Sequence, residues 1–208
     1  MKNLSPADIA SLLLPYYPIE NQRLLDQIAV YIALLLKWNQ KISLTTVTDP
    51  VQIVKFHFGE SLFAAFALKI LDGRLADVGS GAGFPGIPLA MAIPGLDVTL
   101  IEANAKKAAF LFEIVRRLQL ANVAVVRSRM EDAALIGTFD FVCARAIGKH
   151  ASLMRWSSER LTQQGRLVLF LGEKDTQQVR KASGWNWELP ISIPGSLRRY
   201  LLSGTISL

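Results

Sequence analysis

Glycines and acidic residues are concentrated in one stretch whose spacing suits the binding of a small molecule. The stretch 75–92, LADVGSGAGFPGIPLAMA, begins as an apolar run that contains Asp77. Four glycines follow, at Gly79, Gly81, Gly83 and Gly86. Because glycine has no Cβ, such a loop can adopt positive φ and bring its N–H groups close to a ligand. A helix that begins after the loop directs its dipole to the same place. The stretch therefore predicts a strand, a ligand-binding loop and a helix.

The glycine spacing alone leaves the ligand open. Gly81-x-Gly83-x-x-Gly86 matches the dinucleotide fingerprint. Glu102 lies close to the position, ~20 residues downstream, at which an acid binds the ribose. A nicotinamide-dependent oxidoreductase fits this pattern, and plain connecting turns also contain glycines.

Two acids favour S-adenosylmethionine over a nicotinamide cofactor. Asp77 lies two residues before the first glycine, where its carboxylate could bind an amino-acid ammonium but would repel a pyrophosphate. Glu102 follows a predicted strand, 97–101, and could accept hydrogen bonds from both ribose hydroxyls. The alternatives are that Asp77 caps a helix or turn and that Glu102 is only a solvated strand end.

The remaining strands are predicted from the alternation of strand and helix patterns, which is typical of a parallel sheet covered on both faces. They lie near 123–127, 139–143 and 166–171, followed by edge strands around 185–193 and 198–202. After the third strand, Met130 could pack on an adenine and Glu131 could bind its amine. Arg145, after the fourth, could bind a cofactor carboxylate or a phosphate, with a surface salt bridge as its alternative.

Residues 1–72 are predicted to form an N-terminal helical extension of a domain that spans 73–208. An apolar face repeats in the helix predicted from about 20 to 38, at Leu25, Ile28, Ile32 and Leu35. Asp49 and Pro50 are typical of the start of a second helix. We expect that helix to run to about Leu71 and to end at Gly73.

The segment 37–45, KWNQKISLT, mixes an aromatic residue with lysines, amides and hydroxyls. This composition suits a surface that contacts a ligand or RNA, although Trp38 could equally pack the helices against the main domain. His57, in the second helix, could be a general base. No metal-ligand partner at helical spacing accompanies it, so a hydrogen-bonded structural role is the alternative, and no metal is expected.

Composition restricts the class of protein. The 208 residues are 51% hydrophobic and 19% charged, enough apolar sequence for a substantial core and too few charges for a disordered chain. We expect no membrane span and no signal peptide. The single cysteine, Cys143, is expected in the core and is compatible with the cytoplasm. The net charge of +6 suits a polyanionic partner.

Several motifs together are similar to those of one known family. They are the segment 37–45, His57 with Glu60-Ser61, the run 77–89 with its Phe-Pro-Gly-Ile-Pro continuation, Ser128-Arg129 and Arg145-Ala146. This combination, over nearly the whole chain, resembles the RsmG (glucose-inhibited division protein B) family of small-subunit ribosomal RNA guanine-N7 methyltransferases. The Phe-Pro-Gly-Ile-Pro continuation is far more specific than the glycines alone.

The resemblance implies an α/β fold of the class I (Rossmann-like) S-adenosylmethionine-dependent methyltransferases, with a mostly parallel seven-stranded sheet and an N-terminal helical extension. It places cofactor contacts at Gly79, Phe84, Met130, Glu131 and Arg145, flanked by Asp77 and Glu102. Three positions depart from the family pattern: Glu60 replaces an aspartate, Ala144 a serine, and Leu171 a lysine before Gly172. We expect the replacement of that lysine by Leu171 to affect the efficiency of the reaction or the recognition of the substrate, unless Lys174 takes the role of the missing lysine.

The implied reaction is methylation of one guanine N7 in small-subunit (16S) rRNA, as free RNA or in the 30S subunit. N7 has an in-plane lone pair, so positioning suffices and no general base is needed. Arg145 and His57 are the positioning candidates. The candidates for RNA binding are Lys37, Lys106, Arg129 and Arg199. A non-catalytic rRNA-binding or ribosome-assembly protein with a methyltransferase fold is the alternative from another class.

Overall fold

One mixed sheet lies at the centre of the molecule. The computed structural model describes residues 4–19, 21–132 and 137–207. Within these residues the strand order is β3-β2-β1-β4-β5-β8-β6, and a two-residue strand, β7, also pairs with β8. The strands are β1 Gly73–Val78, β2 Leu96–Ile101, β3 Val123–Val126, β4 Phe139–Arg145, β5 Leu161–Gly172, β6 Trp185–Trp187, β7 Ile191–Ser192 and β8 Arg199–Ile206.

The sheet is parallel from β3 to β5 and antiparallel beyond it. The described residues form eight strands, one more than predicted, because the two-residue β7 lies beside the seven strands of the ordered path. Val78 pairs with Ile101, and Ile101 pairs with Val126. The carboxyl ends of β1, β2 and β3 are therefore level at one edge of the sheet, the edge at which open α/β sheets bind ligands.

Helices cover both faces of the sheet. They are α1 Pro6–Leu13, α2 Gln22–Asn39, α3 Pro50–Ile53, a π-helical turn Val54–Gly59, α4 Glu60–Leu68, α5 Gly86–Ala92, α6 Ala105–Leu118, α7 His150–Ser158 and α8 Glu173–Val179. Asp49 caps α3 through its side chain, which accepts the Gln52 N–H, and Pro50 is the first helical residue, as predicted.

The N-terminal helices share a hydrophobic core with the sheet. Ile28, Ile32 and Leu35 are buried, as their spacing predicted, whereas Leu24 takes the inner position and Leu25 is half-buried. The same core contains Ile9 of α1 as well as strand residues of β1, β2 and β8. Cys143 is a fully buried free thiol in this core.

The helix that contains His57 ends earlier than predicted. Pro50–Leu68 is continuous through α3, the π-helical turn and α4, but Lys69 adopts a left-handed conformation with φ of 52° and ends it. Lys69 N–H closes the last turn on the carbonyls of Ala65 and Phe66. The prediction that the helix runs to Leu71 was wrong. It relied on a glycine to end the helix, whereas the left-handed residue that ends it is Lys69.

The helix Pro50–Leu68 is also the one described segment whose length and composition would allow it to cross a membrane. Its mean hydropathy is 1.2 over 18 residues, and 56% of that window is buried inside the fold. The residues buried there include Ile53, Phe58 and Leu62, all members of the shared core. The segment is therefore explained as a core helix.

Candidate active site

The glycine loop crosses from the end of β1 to the end of β2. The N–H groups of Gly79 and Ser80 both donate to the Ile101 carbonyl, at 2.9 and 3.1 Å. Gly79, Gly81 and Gly83 have φ of +72°, +57° and +87°, in the left-handed region that favours glycine. The loop then enters α5, so the predicted strand, loop and helix are confirmed.

Asp77 lies fully buried beneath this loop and connects it to α5. Its Oδ2 accepts a hydrogen bond from Gly86 N–H at 2.9 Å, and its main-chain carbonyl accepts one from Ser80 Oγ at 2.8 Å. Its Oδ1 has no hydrogen-bond partner among the described residues. Burial raises the pKa of Asp77 to about 7. The structure thus gives Asp77 a capping role, and its contact with a ligand ammonium stays a prediction.

Glu102 links the glycine loop to the start of α6. Its Oε2 accepts the Gly81 N–H at 2.8 Å, and its Oε1 accepts the Asn104 N–H at 2.7 Å. Asn104 in turn caps α6 by accepting the N–H groups of Lys106 and Lys107. Two charge-assisted hydrogen bonds therefore fix the carboxylate in place, and each oxygen keeps a lone pair for a ligand hydroxyl.

A cavity of about 500 Å³ opens at the level ends of β1, β2 and β3. We call it the strand-end pocket. Its lining includes Val78, Gly79, Ile101, Glu102, Ser128, Arg129, Met130, Glu131, Ile147 and Lys149. A Cβ added at Gly79 would come within 3.2 Å of the Ile147 side chain, so glycine keeps this wall open. The pocket brings together four of the predicted cofactor residues: Gly79, Glu102, Met130 and Glu131.

A second cavity, of about 250 Å³, lies on the other side of the glycine loop. We call it the histidine pocket. It is lined by Leu44, Thr45, His57, Gly79, Ser80, Gly81, Ala82, Phe84, Lys107, Arg145 and Ala146. Gly79 lines both cavities, so the two adjoin at the loop. Arg145 and Phe84, predicted as cofactor contacts, line this second cavity and are not in the lining of the strand-end pocket.

Arg145 connects the wall of the histidine pocket to a group of charged side chains behind it. Arg145 Nη2 donates to His57 Nδ1 at 2.9 Å, and Arg145 Nη1 lies 4.0 Å from Glu60 Oε2. Arg199 forms an ion pair with the other oxygen of Glu60 and stacks over Phe56, 4.5 Å from the ring centroid. The side chain of Glu60 is only 3% exposed. Glu60 therefore provides a buried carboxylate that balances one of two guanidinium charges.

Burial and the arginines keep His57 neutral. Desolvation first, then Arg145 and Arg199, lower the pKa of His57 to about 3. Burial raises the pKa of Glu60 and lowers that of Arg145, and their mutual attraction opposes both shifts. A histidine with so low a pKa is a weak base, so the structure favours the structural role of His57 over the general base.

Aromatic packing fixes the loop from the side of the helical extension. Phe84 stacks between Tyr31 and His57, with ring centroids 5.3 and 4.7 Å away. The Tyr31 hydroxyl donates to the Ala82 carbonyl, and a Cβ at Gly83 would overlap Tyr31 and Ile87. Gly83 therefore serves close packing here and does not line either cavity.

The predicted RNA-binding residues lie in different surroundings. Lys37 is exposed in the last turn of α2. Lys106 lines a groove with Lys41, Lys107 and Asn104, next to the histidine pocket. Arg129 lines the strand-end pocket, and Arg199 is held by Glu60. Their contacts with RNA stay predictions. Trp38 packs on Phe110, which favours the packing interpretation of that residue.

The sequence interpretation gave no individual role to several residues that the fold brings to the site. Thr45 was included only as the last residue of a mixed segment, yet it lines the histidine pocket beside His57. Ala146 follows Arg145 with a φ of 56°, a strained conformation that is frequent at functional sites. The π-helical turn around His57 is another such feature. Neither backbone feature has a recognisable sequence signal.

Leu171 is buried in a second core, on the face of the sheet opposite the shared core. It is 7% exposed and packs with Val179 and Leu202. Lys174 is exposed on α8, so its side chain does not occupy the place of Leu171. Among the described residues, no group of three or more His, Cys, Asp or Glu is arranged to hold a metal ion.

Comparison with known sequences identifies the family. A family model described as GidB, rRNA small subunit methyltransferase G, matches residues 24–186. The chain belongs to this family. A curated member, ribosomal RNA small subunit methyltransferase G of Stenotrophomonas maltophilia, is 41% identical over 79% of this chain and 78% of its own length. Its counterpart in Roseiflexus castenholzii is 40% identical over 78% of this chain and 71% of its own length.

Solved structures that resemble the chain are methyltransferases with low sequence identity. A precorrin-6y C5,15-methyltransferase from Geobacter metallireducens has a TM-score of 0.58 and 18% identity, over 71% of this chain and 87% of that one. The glycopeptide N-methyltransferase MtfA, complexed with S-adenosylmethionine, has a TM-score of 0.61 and 13% identity, over 73% and 94%. These likenesses confirm the class I methyltransferase fold, and the family assignment favours a methyltransferase over a nicotinamide-dependent oxidoreductase.

Proposed function

We propose that the chain transfers a methyl group from S-adenosylmethionine to N7 of one guanine in small-subunit ribosomal RNA. One observation supports this most strongly: two cavities of different character adjoin at Gly79, which lines both. A methyl transfer between two bound molecules needs such an arrangement, because donor and acceptor must occupy separate sites that share a boundary.

The strand-end pocket fits the cofactor. Its volume, about 500 Å³, lies within the range of small-molecule sites. Its lining combines an apolar wall of Ile101, Met130 and Ile147 with the fixed carboxylate of Glu102. We propose that Glu102 binds the ribose, Met130 and Glu131 bind the adenine, and the loop at Gly79 and Gly81 borders the amino-acid part.

When bound, S-adenosylmethionine supplies a sulfonium methyl group whose carbon–sulfur bond breaks as the bond from carbon to N7 forms. The lone pair of N7 lies in the plane of the base and carries no proton, so the protein need not remove one. This is consistent with a site whose only histidine, His57, has its pKa lowered to about 3. The protein instead holds the base and excludes water, which can contribute ~7–11 kcal/mol to the rate.

The histidine pocket is proposed to receive the guanine. Its boundary combines an aromatic side chain, Phe84, with the hydrogen-bonding groups of Thr45 and Arg145. The groove that contains Lys41, Lys106 and Lys107 adjoins it, because Lys107 lines both. We propose that these lysines bind phosphates on either side of the guanine, independently of sequence. With a net charge of +6, the chain would bind rRNA, free or in the 30S subunit, in the cytoplasm.

The test is transfer of labelled methyl from S-adenosylmethionine to small-subunit rRNA and to 30S subunits from a strain that lacks this modification, followed by mapping of the product. We expect label on N7 of one guanine. Label on another atom or another base would overturn the assignment of the acceptor. Binding of rRNA and cofactor without transfer to either substrate would instead favour a non-catalytic ribosome-assembly protein.

A further inference from the structure

Thr45 stands at the wall of the histidine pocket in a segment that is fixed before any substrate binds. The Asn39 side chain accepts the N–H groups of Leu44 and Thr45, at 2.8 and 3.0 Å, and donates to the Thr45 carbonyl at 2.9 Å. Three hydrogen bonds from one amide thus hold the backbone of the segment against α2. The Thr45 hydroxyl therefore has a defined position at the cavity.

The partners of His57 determine the direction of the hydrogen bond to Thr45. Arg145 offers only donors, so His57 Nδ1, 2.9 Å from Arg145 Nη2, must be an acceptor without a proton. A neutral ring then carries its proton on Nε2, which lies 2.8 Å from Thr45 Oγ1. His57 therefore donates to Thr45, and the threonine oxygen is the acceptor.

The hydroxyl of Thr45 is left with a free hydrogen. Its oxygen accepts from His57 Nε2 and also from Val47 N–H at 3.1 Å, so both lone pairs are engaged. No acceptor for the hydroxyl hydrogen occurs among the described residues. Two donors thus orient the oxygen, and its own hydrogen is available only to a molecule in the pocket.

A single donor at this place can distinguish the purines. On the edge that contains N7, guanine presents a second acceptor, O6, whereas adenine presents an amino donor at the same position. If a base in the histidine pocket directs N7 toward the strand-end pocket, its O6 (guanine) or amino group (adenine) faces the wall of the histidine pocket, which includes Thr45.

Arg145 and Lys107 also line this wall and can donate. Arg145 already donates from Nη2 to His57, and its Nη1 lies 4.0 Å from Glu60 Oε2. Lys107 has an ammonium group on a flexible chain, so Thr45 is the donor whose direction is fixed by two neighbouring N–H groups.

We propose that Thr45 is a specificity-determining residue whose hydroxyl donates a hydrogen bond to O6 of the acceptor guanine. This rests on the proposed function of the site. His57 is then a positioning residue, which acts by turning the Thr45 hydroxyl toward the base. With adenine, the same hydroxyl would face an amino group and two donors would oppose each other, an arrangement that specific sites reject strongly.

The test compares guanine with 2-aminopurine, which keeps N7 but lacks O6, at the target position of the RNA substrate. For the unaltered protein we expect kcat/KM to fall about tenfold on 2-aminopurine, which corresponds to the loss of one hydrogen bond. Thr45→Val, of similar shape, should show about that loss on guanine and no further loss on 2-aminopurine. Thr45→Ser should restore the preference for guanine.

A matched control is Thr46→Val, which changes the adjacent, exposed threonine outside both pockets and should behave as the unaltered protein. Calorimetric binding of S-adenosylmethionine should be the same for every variant, which shows that the fold is intact. His57→Leu should lower the ratio of guanine to 2-aminopurine activity, a readout that loss of stability alone would not change.

Two results would overturn the inference. One is Thr45→Val protein that still prefers guanine over 2-aminopurine about tenfold, because another group would then bind O6. The other is unaltered protein that methylates both bases equally well at N7, because no group would then bind O6. In both cases N7 methylation itself, and hence the proposed function, would stand. Absence of transfer by the unaltered protein would instead refute the proposed function.

Discussion

The two pockets on either side of the glycine loop are built by different means. The strand-end pocket is made by main-chain geometry: level strand ends, glycines with positive φ, and a carboxylate fixed by N–H groups. The histidine pocket is made by side chains distant in sequence, such as His57 and Arg145, which are 88 residues apart. Buried charges and stacked rings hold these side chains in place.

This difference suits the two proposed ligands. A cofactor shared by many enzymes can be bound by the edge of a common sheet, and the fold of this chain is shared with methyltransferases of only 13 to 18% identity. A specific acceptor needs side chains in addition to the level strand ends. Here the N-terminal helical segment contributes Leu44, Thr45 and His57, and the glycine loop, α6 and the end of β4 contribute the rest of the lining.

The largest loss of stability is expected from removing the carboxylate that lies between Arg145 and Arg199 next to the histidine pocket. Glu60→Gln would leave the guanidinium groups of Arg145 and Arg199 without their buried partner. We expect the free energy of unfolding, measured with urea, to fall by about 3 kcal/mol. The control Glu188→Gln breaks an exposed pair with Arg166 and should cost less than ~1 kcal/mol. Equal losses in both variants would show that buried charge does not support this pocket.

A pH-dependent effect is expected beneath the glycine loop. Burial raises the pKa of Asp77 from 3.8 to about 7, so the folded protein binds this proton more tightly than the unfolded chain does. The resulting stabilisation is present below pH 3.8 and is lost as the pH rises through 7. Asp77→Asn, which keeps an oxygen for Gly86 N–H, removes the ionisation.

Unfolding free energies of Asp77→Asn and the unaltered protein should therefore diverge between pH 4 and pH 8. The variant should gain up to ~4 kcal/mol relative to the unaltered protein, since each unit of pKa corresponds to ~1.4 kcal/mol. Asp97→Asn, at an exposed position of β2, is the matched control. If the difference between the two unfolding free energies does not change with pH, the carboxylate of Asp77 is not buried with an unpaired oxygen under the loop.

A smaller loss is expected from closing the space next to the loop. Gly83→Ala would place a methyl group against Tyr31 and Ile87 at a φ of +87°. We expect it to lower the free energy of unfolding by about 2–3 kcal/mol, the sum of overpacking and backbone strain. Gly184→Ala, with a φ of +79° and nothing within 4 Å, should show the backbone cost alone, about 1 kcal/mol. If both variants lose the same amount, close packing against Tyr31 is not what requires glycine.

The smallest effect concerns the groove beside the histidine pocket. Lys106→Gln should weaken binding of rRNA less than about tenfold and reduce the slope of log K against log salt by about 0.7–0.9, the value for one phosphate contact. Binding is measured by filter retention at several salt concentrations. Lys181→Gln, at an exposed lysine after α8, is the control. An unchanged slope for Lys106→Gln would remove this lysine from the proposed RNA path.

The difference between the two pockets also explains which parts of the site could be predicted from the sequence. The strand-end pocket is formed by one contiguous motif and the ends of successive strands, so Gly79, Glu102, Met130 and Glu131 line one cavity. Their contacts with a cofactor stay predictions. Periodicity also located the core helices, since the apolar face of α2 packs inward. Both signals are local, and a single sequence contains them.

The histidine pocket could not be derived in this way. The place of Arg145 depends on His57 and Glu60, and no local pattern shows that a strand end meets a π-helical turn. The predicted contact of Arg145 with a cofactor carboxylate therefore missed its hydrogen bond to His57. The left-handed residue Lys69 illustrates the same limit, because lysine is not a residue type that indicates this conformation.

The central claim is that cofactor and guanine occupy separate pockets that adjoin at Gly79. The most direct test is a crystal structure of the protein with sinefungin, an unreactive analogue of S-adenosylmethionine. The account predicts the adenosine in the strand-end pocket, its ribose on Glu102, and the amino group that replaces the methyl facing the histidine pocket across Gly79. An analogue bound in the histidine pocket, with its carboxylate on Arg145, would contradict the account.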